Sequence, residues 1–139
     1  METRQAISRG LIFANSQLDG IAFIDMGLLL AKAIEPLIDS KYLSLETNDI
    51  VDKMMMQNIS QHPVFGNYVA ICNIGILFEP VLKLDINAKL RKWAKDFTLI
   101  INNGEGVIEN NTFHLAGTNK PSYSVNLYDI PYNTIPYEI

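Results

Sequence analysis

The stretch that decides the fold is YVAICNIGILFEPVLKLD, Tyr68 to Asp85. Its first half is a run of apolar residues rather than an alternating pattern, and it breaks at Gly75. A run of this kind is typical of a central strand of a parallel sheet, where both faces of the strand are buried. Open parallel sheets bind their ligands at the carboxyl ends of the strands. The residues at that end are Cys72, Asn73 and Gly75, and none of them is acidic.

Periodicity in the rest of the chain predicts strands that alternate with helices. Strands are predicted at residues 10–14, 41–45 and 97–101, helices at 21–38, 46–61 and 86–97, and a β-hairpin at 107–116. This alternation indicates an α/β fold with a mainly parallel sheet. We expect a three-layer arrangement with helices flanking the sheet, followed by a small antiparallel hairpin. Residues 1–139 are expected to form a single domain, with a Tyr/Pro-rich extended tail over about 119–139.

The composition favours a folded protein without a bias towards nucleic acids. The chain has 139 residues, a formal net charge of −4 and one cysteine. This length suits one domain with a sizeable core, and the negative charge argues against a general nucleic-acid binder. One cysteine cannot form an internal disulfide, and no apolar run is long enough to span a bilayer. We expect a cytoplasmic protein without membrane contact, cofactor or metal.

The segment after the first predicted strand has the position of a phosphate-binding loop. In the consensus GxxxxGK[ST], glycines let backbone amides wrap a phosphate, the lysine meets the terminal phosphates and the hydroxyl holds magnesium. Residues 15–22 read NSQLDGIA, so Gly20 falls on the second glycine, whereas Ile21 and Ala22 replace the lysine and the hydroxyl. Asp19 adds a negative charge that opposes a phosphate. The position fits a nucleotide site, but the chemistry does not.

An NTPase also needs an acidic residue at the end of a buried strand, to hold magnesium or to orient water. The central strand offers no carboxylate there, and no catalytic residue is assigned. A nucleotide-binding protein with an unorthodox loop stays open as an alternative. Its site would combine the loop with asparagines near the strand ends: Asn15, Ser16, Gly20, Asn73, Asn102 and Asn103.

The remaining candidate side chains have simple structural explanations. His62 precedes a proline at a predicted helix end, and His114 lies in a predicted hairpin strand, so both are expected to be surface or packing residues. Cys72 is expected to be an inert core thiol. Two histidines and one cysteine do not form a zinc-binding spacing. No metal ligand is predicted.

One concentration of basic residues lies in and before the helix predicted at 86–97. Its members are Lys83, Lys89, Arg91, Lys92 and Lys95. The solvated face of an amphipathic helix accounts for these charges. The alternative is that they contact DNA or an acidic protein partner.

Residues 69–101, VAICNIGILFEPVLKLDINAKLRKWAKDFTLII, are similar to the second half of the small P-loop protein of type 3 BREX phage-defence systems. That family runs from an apolar strand ending in Asp-Asn-Ile-Glu, through Leu-Phe-Asp-Pro and Leu-Lys-Leu-Asp, to a basic helix and an apolar strand. The counterparts here are Cys72-Asn73-Ile74-Gly75, Leu77-Phe78-Glu79-Pro80 and Leu82-Lys83-Leu84-Asp85. The tail SYSVNLYDI, residues 122–130, resembles the family's Tyr-containing C-terminal segment.

The resemblance implies a P-loop NTPase-like fold that has lost its nucleotide chemistry. The family's P-loop lysine and hydroxyl correspond to Ile21 and Ala22, and its strand-end acid and the following glutamate correspond to Cys72 and Gly75. We therefore expect a non-catalytic pseudo-NTPase that acts through other proteins of a multi-component bacterial phage-defence complex. The alternatives are the nucleotide-binding protein or NTPase described above and a DNA-associated accessory protein. The oligomeric state is left open.

Overall fold

The computed structural model describes residues 10–14, 18, 20–102, 106–115 and 123–135. Within these residues the chain forms three α-helices and nine strands. The helices are α1 (Met26–Ile34), α2 (Leu43–Gln57) and α3 (Ile86–Asp96). The strands are β1 (Gly10–Ala14), β2 (Phe23–Asp25), β3 (Ser60–His62), β4 (Gly66–Cys72), β5 (Thr98–Asn102), β6 (Gly106–Glu109), β7 (Thr112–Leu115), β8 (Ser124–Asn126) and β9 (Tyr132–Ile135). Short 3-10 helices lie at Glu35–Leu37, Ile74–Phe78 and Pro80–Leu82.

The main sheet has five parallel strands in the order β2-β4-β5-β1-β9. β3 pairs antiparallel with the first half of β4, and β2 pairs with its second half. Residues Tyr68 to Ile71 of β4 are all buried, as a central parallel strand requires. The predicted α/β fold with a mainly parallel sheet is therefore confirmed, and so is the predicted central strand.

A separate antiparallel sheet is formed by β6, β7 and β8. The turn between β6 and β7 is Asn110-Asn111, with φ values of 52° and 60°. A two-residue hairpin turn with positive φ at both positions matches the twist of its strands, and asparagine tolerates this conformation. The predicted hairpin is confirmed. The predicted extended tail contributes β8 to the small sheet and β9 to the main sheet.

The two faces of the main sheet pack against different parts of the chain. Leu11 and Phe13 share one buried cluster with residues of all three helices and of the small sheet. Ile12 and Ala14, which point to the opposite face, share a second cluster with Ile21. The described helices thus lie on one face of the sheet. The second helical layer of the expected three-layer arrangement has no counterpart among the described residues.

The prediction that a helix begins at residue 21 is wrong. Phe23–Asp25 form β2, which pairs with Ala70 to Cys72 of β4. Asp25 then caps α1, which begins at Met26. Hydrogen bonding along the edge of β4 outweighs the helical spacing of the apolar side chains in this segment, because local propensity is only a weak preference.

The strand predicted at 41–45 is also wrong, because α2 already begins at Leu43. The buried residues of α2 recur every four positions: Leu43, Thr47, Val51 and Met55. This helical period runs through a segment whose first residues alternate only locally. The helix predicted at 46–61 ends at Gln57, and its last residues form β3 instead.

Candidate functional site

The carboxyl ends of four parallel strands meet at one edge of the main sheet. Ala14 of β1 lies opposite Asn102 of β5, and Asp25 of β2 lies opposite Cys72 of β4. β4 and β5 are adjacent, with Ile71 opposite Ile101 one residue before these ends. This edge is where an open parallel sheet binds a ligand, and it is therefore the candidate site.

Asp25 is the carboxylate that the sequence analysis missed at this edge. Its Oδ1 accepts hydrogen bonds from the backbone N of Leu28 at 2.9 Å and from Nδ2 of Asn73 at 2.8 Å. These two bonds, the first above all, hold the pKa of Asp25 below its usual value. The signal that could have found it is an aspartate directly before an apolar helical run, which is a favoured N-cap.

The same two bonds close the N-terminus of α1. The free amides and the dipole at a helix N-terminus attract anions such as phosphate. Here Asp25 supplies the negative charge itself, and the Asn73 amide covers it. We call this pair the Asp25–Asn73 cap. An incoming phosphate would have to displace the Asp25 carboxylate, which carries a charge of the same sign.

Two backbone features bring Asn73 close enough to α1 to form the Asp25–Asn73 cap. Asn73 directly follows β4 and adopts a left-handed conformation, with φ of 54°. A Cβ at Gly27 would lie 2.8 Å from Cγ and 3.0 Å from the carbonyl oxygen of Asn73. Only glycine lets α1 approach Asn73 this closely. The cap is therefore a close-packed joint between α1 and the end of β4.

The segment that follows β1 leads to β2 rather than to a described helix. Near its end, the backbone N of Ala22 donates to the hydroxyl of Tyr68 at 3.2 Å. A Cβ built on Gly20 would lie 3.6 Å from Nε2 of His62, which pairs with the first residue of β4. Gly20 therefore lies near the start of β4, whereas the carboxyl edge lies at the other end of this strand, about 20 Å along it.

The residues of the nucleotide-binding alternative are consequently not all brought together. Asn73 directly follows β4, and Asn102 is the last residue of the adjacent strand β5, so both lie at the carboxyl edge. Gly20 does not join them. Asn15, Ser16 and Asn103 lie outside the described residues.

The basic residues divide into an exposed set and one buried member. Lys83, Arg91, Lys92 and Lys95 are exposed, whereas Lys89 is buried. The placement of Lys89 on a DNA- or partner-contacting surface is thus wrong. Arg91 donates from Nε to Oδ1 of Asn87, one turn earlier in α3, at 3.0 Å.

Lys89 instead belongs to a polar cluster between α2 and α3. Its Nζ lies 2.8 Å from Oδ2 of Asp52 and donates to the carbonyl oxygen of Asn48 at 3.3 Å. Nε1 of Trp93 donates to Oδ1 of the same aspartate at 2.9 Å. Asp52 thus receives two donors from adjacent turns of α3. The cluster fixes the position of α3 against α2, which is a structural role.

An exposed apolar surface lies on and beside α1. Leu28 is 57% exposed, Leu29 38%, Ile38 55% and Val81 63%. We call these four residues the α1 ridge. A groove of about 500 Å³ runs beside them, between α1 and the 3-10 helices that follow β4. Ile38 and Val81 line this groove, whereas Leu28 and Leu29 are exposed on α1 outside it. Exposed apolar surface of this kind is typical of protein interaction sites.

The histidines and acidic residues offer no second site. Nδ1 of His62 accepts a hydrogen bond from the backbone N of Val64 at 3.0 Å, within the turn between β3 and β4. No group of three His, Cys, Asp or Glu residues in the described ranges could hold a metal ion. Among the same residues, no helix has the length and apolarity that a membrane span requires.

Comparisons of the whole chain with family models, with curated proteins and with solved structures find no match.

Proposed function

We propose that this protein is a non-catalytic, P-loop-like α/β domain that acts through contacts with other proteins. The observation that carries the proposal is the Asp25–Asn73 cap. It places a carboxylate and its amide partner at the helix N-terminus beside the carboxyl edge, where a nucleotide phosphate would otherwise be held.

Two further features support the absence of nucleotide chemistry. In the segment between β1 and β2, Ile21 and Ala22 stand where a P-loop has its lysine and its hydroxyl residue. These two residues lead directly into β2. β4 ends in Cys72 rather than in an acid that could hold magnesium. The α1 ridge supports the second half of the proposal, because it offers apolar surface to a protein partner.

Isothermal titration with ATP and magnesium tests the non-catalytic half. We expect no saturable heat up to about 1 mM nucleotide, which corresponds to binding weaker than about −4 kcal/mol. Asp25→Ala is the matched variant, because it removes the charge that opposes a phosphate. Binding with turnover in the unmodified protein would overturn the proposal. Binding gained by Asp25→Ala would show that the cap is what closes the edge.

The resemblance to the type 3 BREX protein supports a place in a bacterial phage-defence complex. In a host that carries the gene with its neighbours, Leu28→Ser should raise the plating efficiency of phage. Met56→Ser is the control, since Met56 on α2 is 52% exposed but lies outside the α1 ridge. Equal plating for both variants and the unmodified protein would remove the ridge from the proposed role.

A DNA-associated role is the second candidate, and exposure of the basic residues favours it. Arg91 and Lys95 lie one turn apart on α3 and are exposed, as are Lys83 and Lys92. Binding through these charges predicts that DNA affinity falls steeply with salt. A DNA shift assay over a range of salt concentrations, with Arg91→Glu as the variant, tests this candidate. Absent or salt-independent binding would exclude it.

A further inference from the structure

α1 is apolar around more of its circumference than its packing in the fold requires. Met26, Leu30 and Ile34 form its buried stripe. Leu28 and Leu29 nevertheless lie on the exposed side. A helix that is apolar nearly all round is normally covered on every side. The exposed side of α1 is therefore expected to have an occupant.

The groove beside α1 is shaped for aliphatic side chains. One wall carries Ala31, Ile34 and Ile38, and the other carries Ile76 and Val81. Glu79 also lines the groove, and its carboxylate already accepts from the hydroxyl of Tyr123 at 3.0 Å. An apolar segment of a binding partner that lies along α1 would place its side chains into this groove.

Lys32 and Glu35 line the same groove, and their charges indicate what kind of partner would bind there. Lys32 lies four residues after Leu28 on the exposed side of α1, and Glu35, the first residue of the following 3-10 helix, continues this spacing three residues later. Neither side chain makes an ion pair with any described residue. Among the described residues, Lys32 and Glu35 therefore present one positive and one negative charge without a charged partner, next to apolar side chains.

This pattern is complementary to itself when it is reversed. A second α1 laid antiparallel across the first, about a two-fold axis midway between Lys32 and Glu35, sets each lysine against the glutamate of the other copy. Two-fold interfaces require this kind of self-complementarity.

We propose that the α1 ridge is the interface of a homodimer, with a second copy of this chain as its occupant. The proposal rests on the protein-contact half of the proposed function and names the partner of that surface. Charge pairs at the rim set the antiparallel register, and the apolar side chains in the groove supply the burial. α1 and the following 3-10 helix are short, so we expect a dissociation constant in the micromolar range.

Sedimentation velocity over about 1 to 200 µM tests the dimer with charge-reversal variants. Lys32→Glu and Glu35→Lys each set like charges together at two places and should weaken the dimer at least about tenfold. The double variant Lys32→Glu/Glu35→Lys restores both pairs and should recover the unmodified dissociation constant. Lys53→Glu, on the exposed surface of α2, is the control and should change nothing.

The outcomes separate this inference from the proposed function. An unmodified protein that stays monomeric throughout the concentration range overturns the dimer. So does a dimer that both single reversals leave unchanged, or that the double reversal fails to restore. Circular dichroism of each variant shows whether weakening reflects misfolding. ATP turnover by a dimer that responds as expected would overturn the proposed function while the dimer stands.

Discussion

Replacing Lys89 by methionine removes the buried charge that joins α3 to α2. Methionine keeps most of the length of the lysine side chain and its contacts, so the change isolates the ammonium group. Nζ of Lys89 lies 2.8 Å from Oδ2 of Asp52; the Lys89 side chain is 8% exposed and the Asp52 side chain is 24% exposed. The variant leaves the Asp52 carboxylate with Trp93 as its remaining close donor.

The expected cost follows from these burial values. Breaking one side of a fully buried ion pair costs about 3–5 kcal/mol, and a hydrogen bond to a charged group contributes about 1.5–3 kcal/mol. Water reaches part of Asp52, so the cost falls at or below the lower end of the first range, which overlaps the second. We expect Lys89→Met to lower the free energy of unfolding by about 2–3 kcal/mol. For a domain of this size this corresponds to a fall in Tm of about 6–15 °C.

Lys92 provides a matched control on the same helix. Its Nζ lies 3.9 Å from the same Oδ2 of Asp52, but its side chain is 52% exposed. Lys92→Met should therefore cost less than about 1 kcal/mol. Urea unfolding followed by circular dichroism measures both variants. The double variant Lys89→Met/Asp52→Asn should recover part of the loss, because no unpaired charge remains.

A difference of less than about 0.5 kcal/mol between the two lysine variants, which is the usual range of surface substitutions, would refute a stabilising role of the buried Lys89 charge. That result would mean that burial does not distinguish the two charges. Failure of the double variant to recover any stability would instead assign the loss to packing of the lysine side chain rather than to the unpaired carboxylate.

Three further predictions concern α2 and the Asp25–Asn73 cap. Thr47 is fully buried and its Oγ1 has no hydrogen-bond partner among the described residues, so Thr47→Val should stabilise the protein by about 1 kcal/mol in urea unfolding, whereas Thr47→Ser should not. Gly27→Ala, which in most helices stabilises, should destabilise here because the new Cβ meets Asn73; a smaller loss in an Asn73→Gly background would confirm the contact, and a gain in stability would contradict it. Because the folded-state pKa of Asp25 lies below its usual value of 3.8, its charge stabilises the fold above that pH, and the stabilisation is lost as the pH falls towards the lowered pKa. The advantage of the unmodified protein over Asp25→Asn, measured by urea midpoints, should thus be full at pH 7 and shrink below about pH 3.8; an advantage independent of pH would count against the cap.

Long apolar runs made much of the architecture predictable. β1, β4 and β5 each follow from an uninterrupted apolar run, and the hairpin follows from Asn110-Asn111, whose residue type tolerates the turn. α3 follows from a stripe of apolar residues at helical spacing. In each case the signal is contained within a few consecutive residues.

Two of the predictions that failed, the helix start at residue 21 and the exposure of Lys89, concern features that depend on partners distant in the chain. β2 has only three residues, and its identity as a strand comes from pairing with β4. The same holds for Asp25, whose position at the carboxyl edge follows from that pairing. Lys89 has the spacing of an exposed helix residue, but Asp52 on α2 draws it into the interior. Local patterns do not contain this information.

The position of β1 in the main sheet has a consequence for how the protein is synthesised. The first described strand pairs only with β5 and β9 among the described strands, so its neighbours are made much later. As the chain leaves the ribosome, Leu11, Ile12 and Phe13 have no partner among the described strands until β5, residues 98–102, has emerged. Such long-range pairing slows folding and prolongs the exposure of an apolar strand. Nascent chains truncated before β5 should therefore be the forms that most need a chaperone.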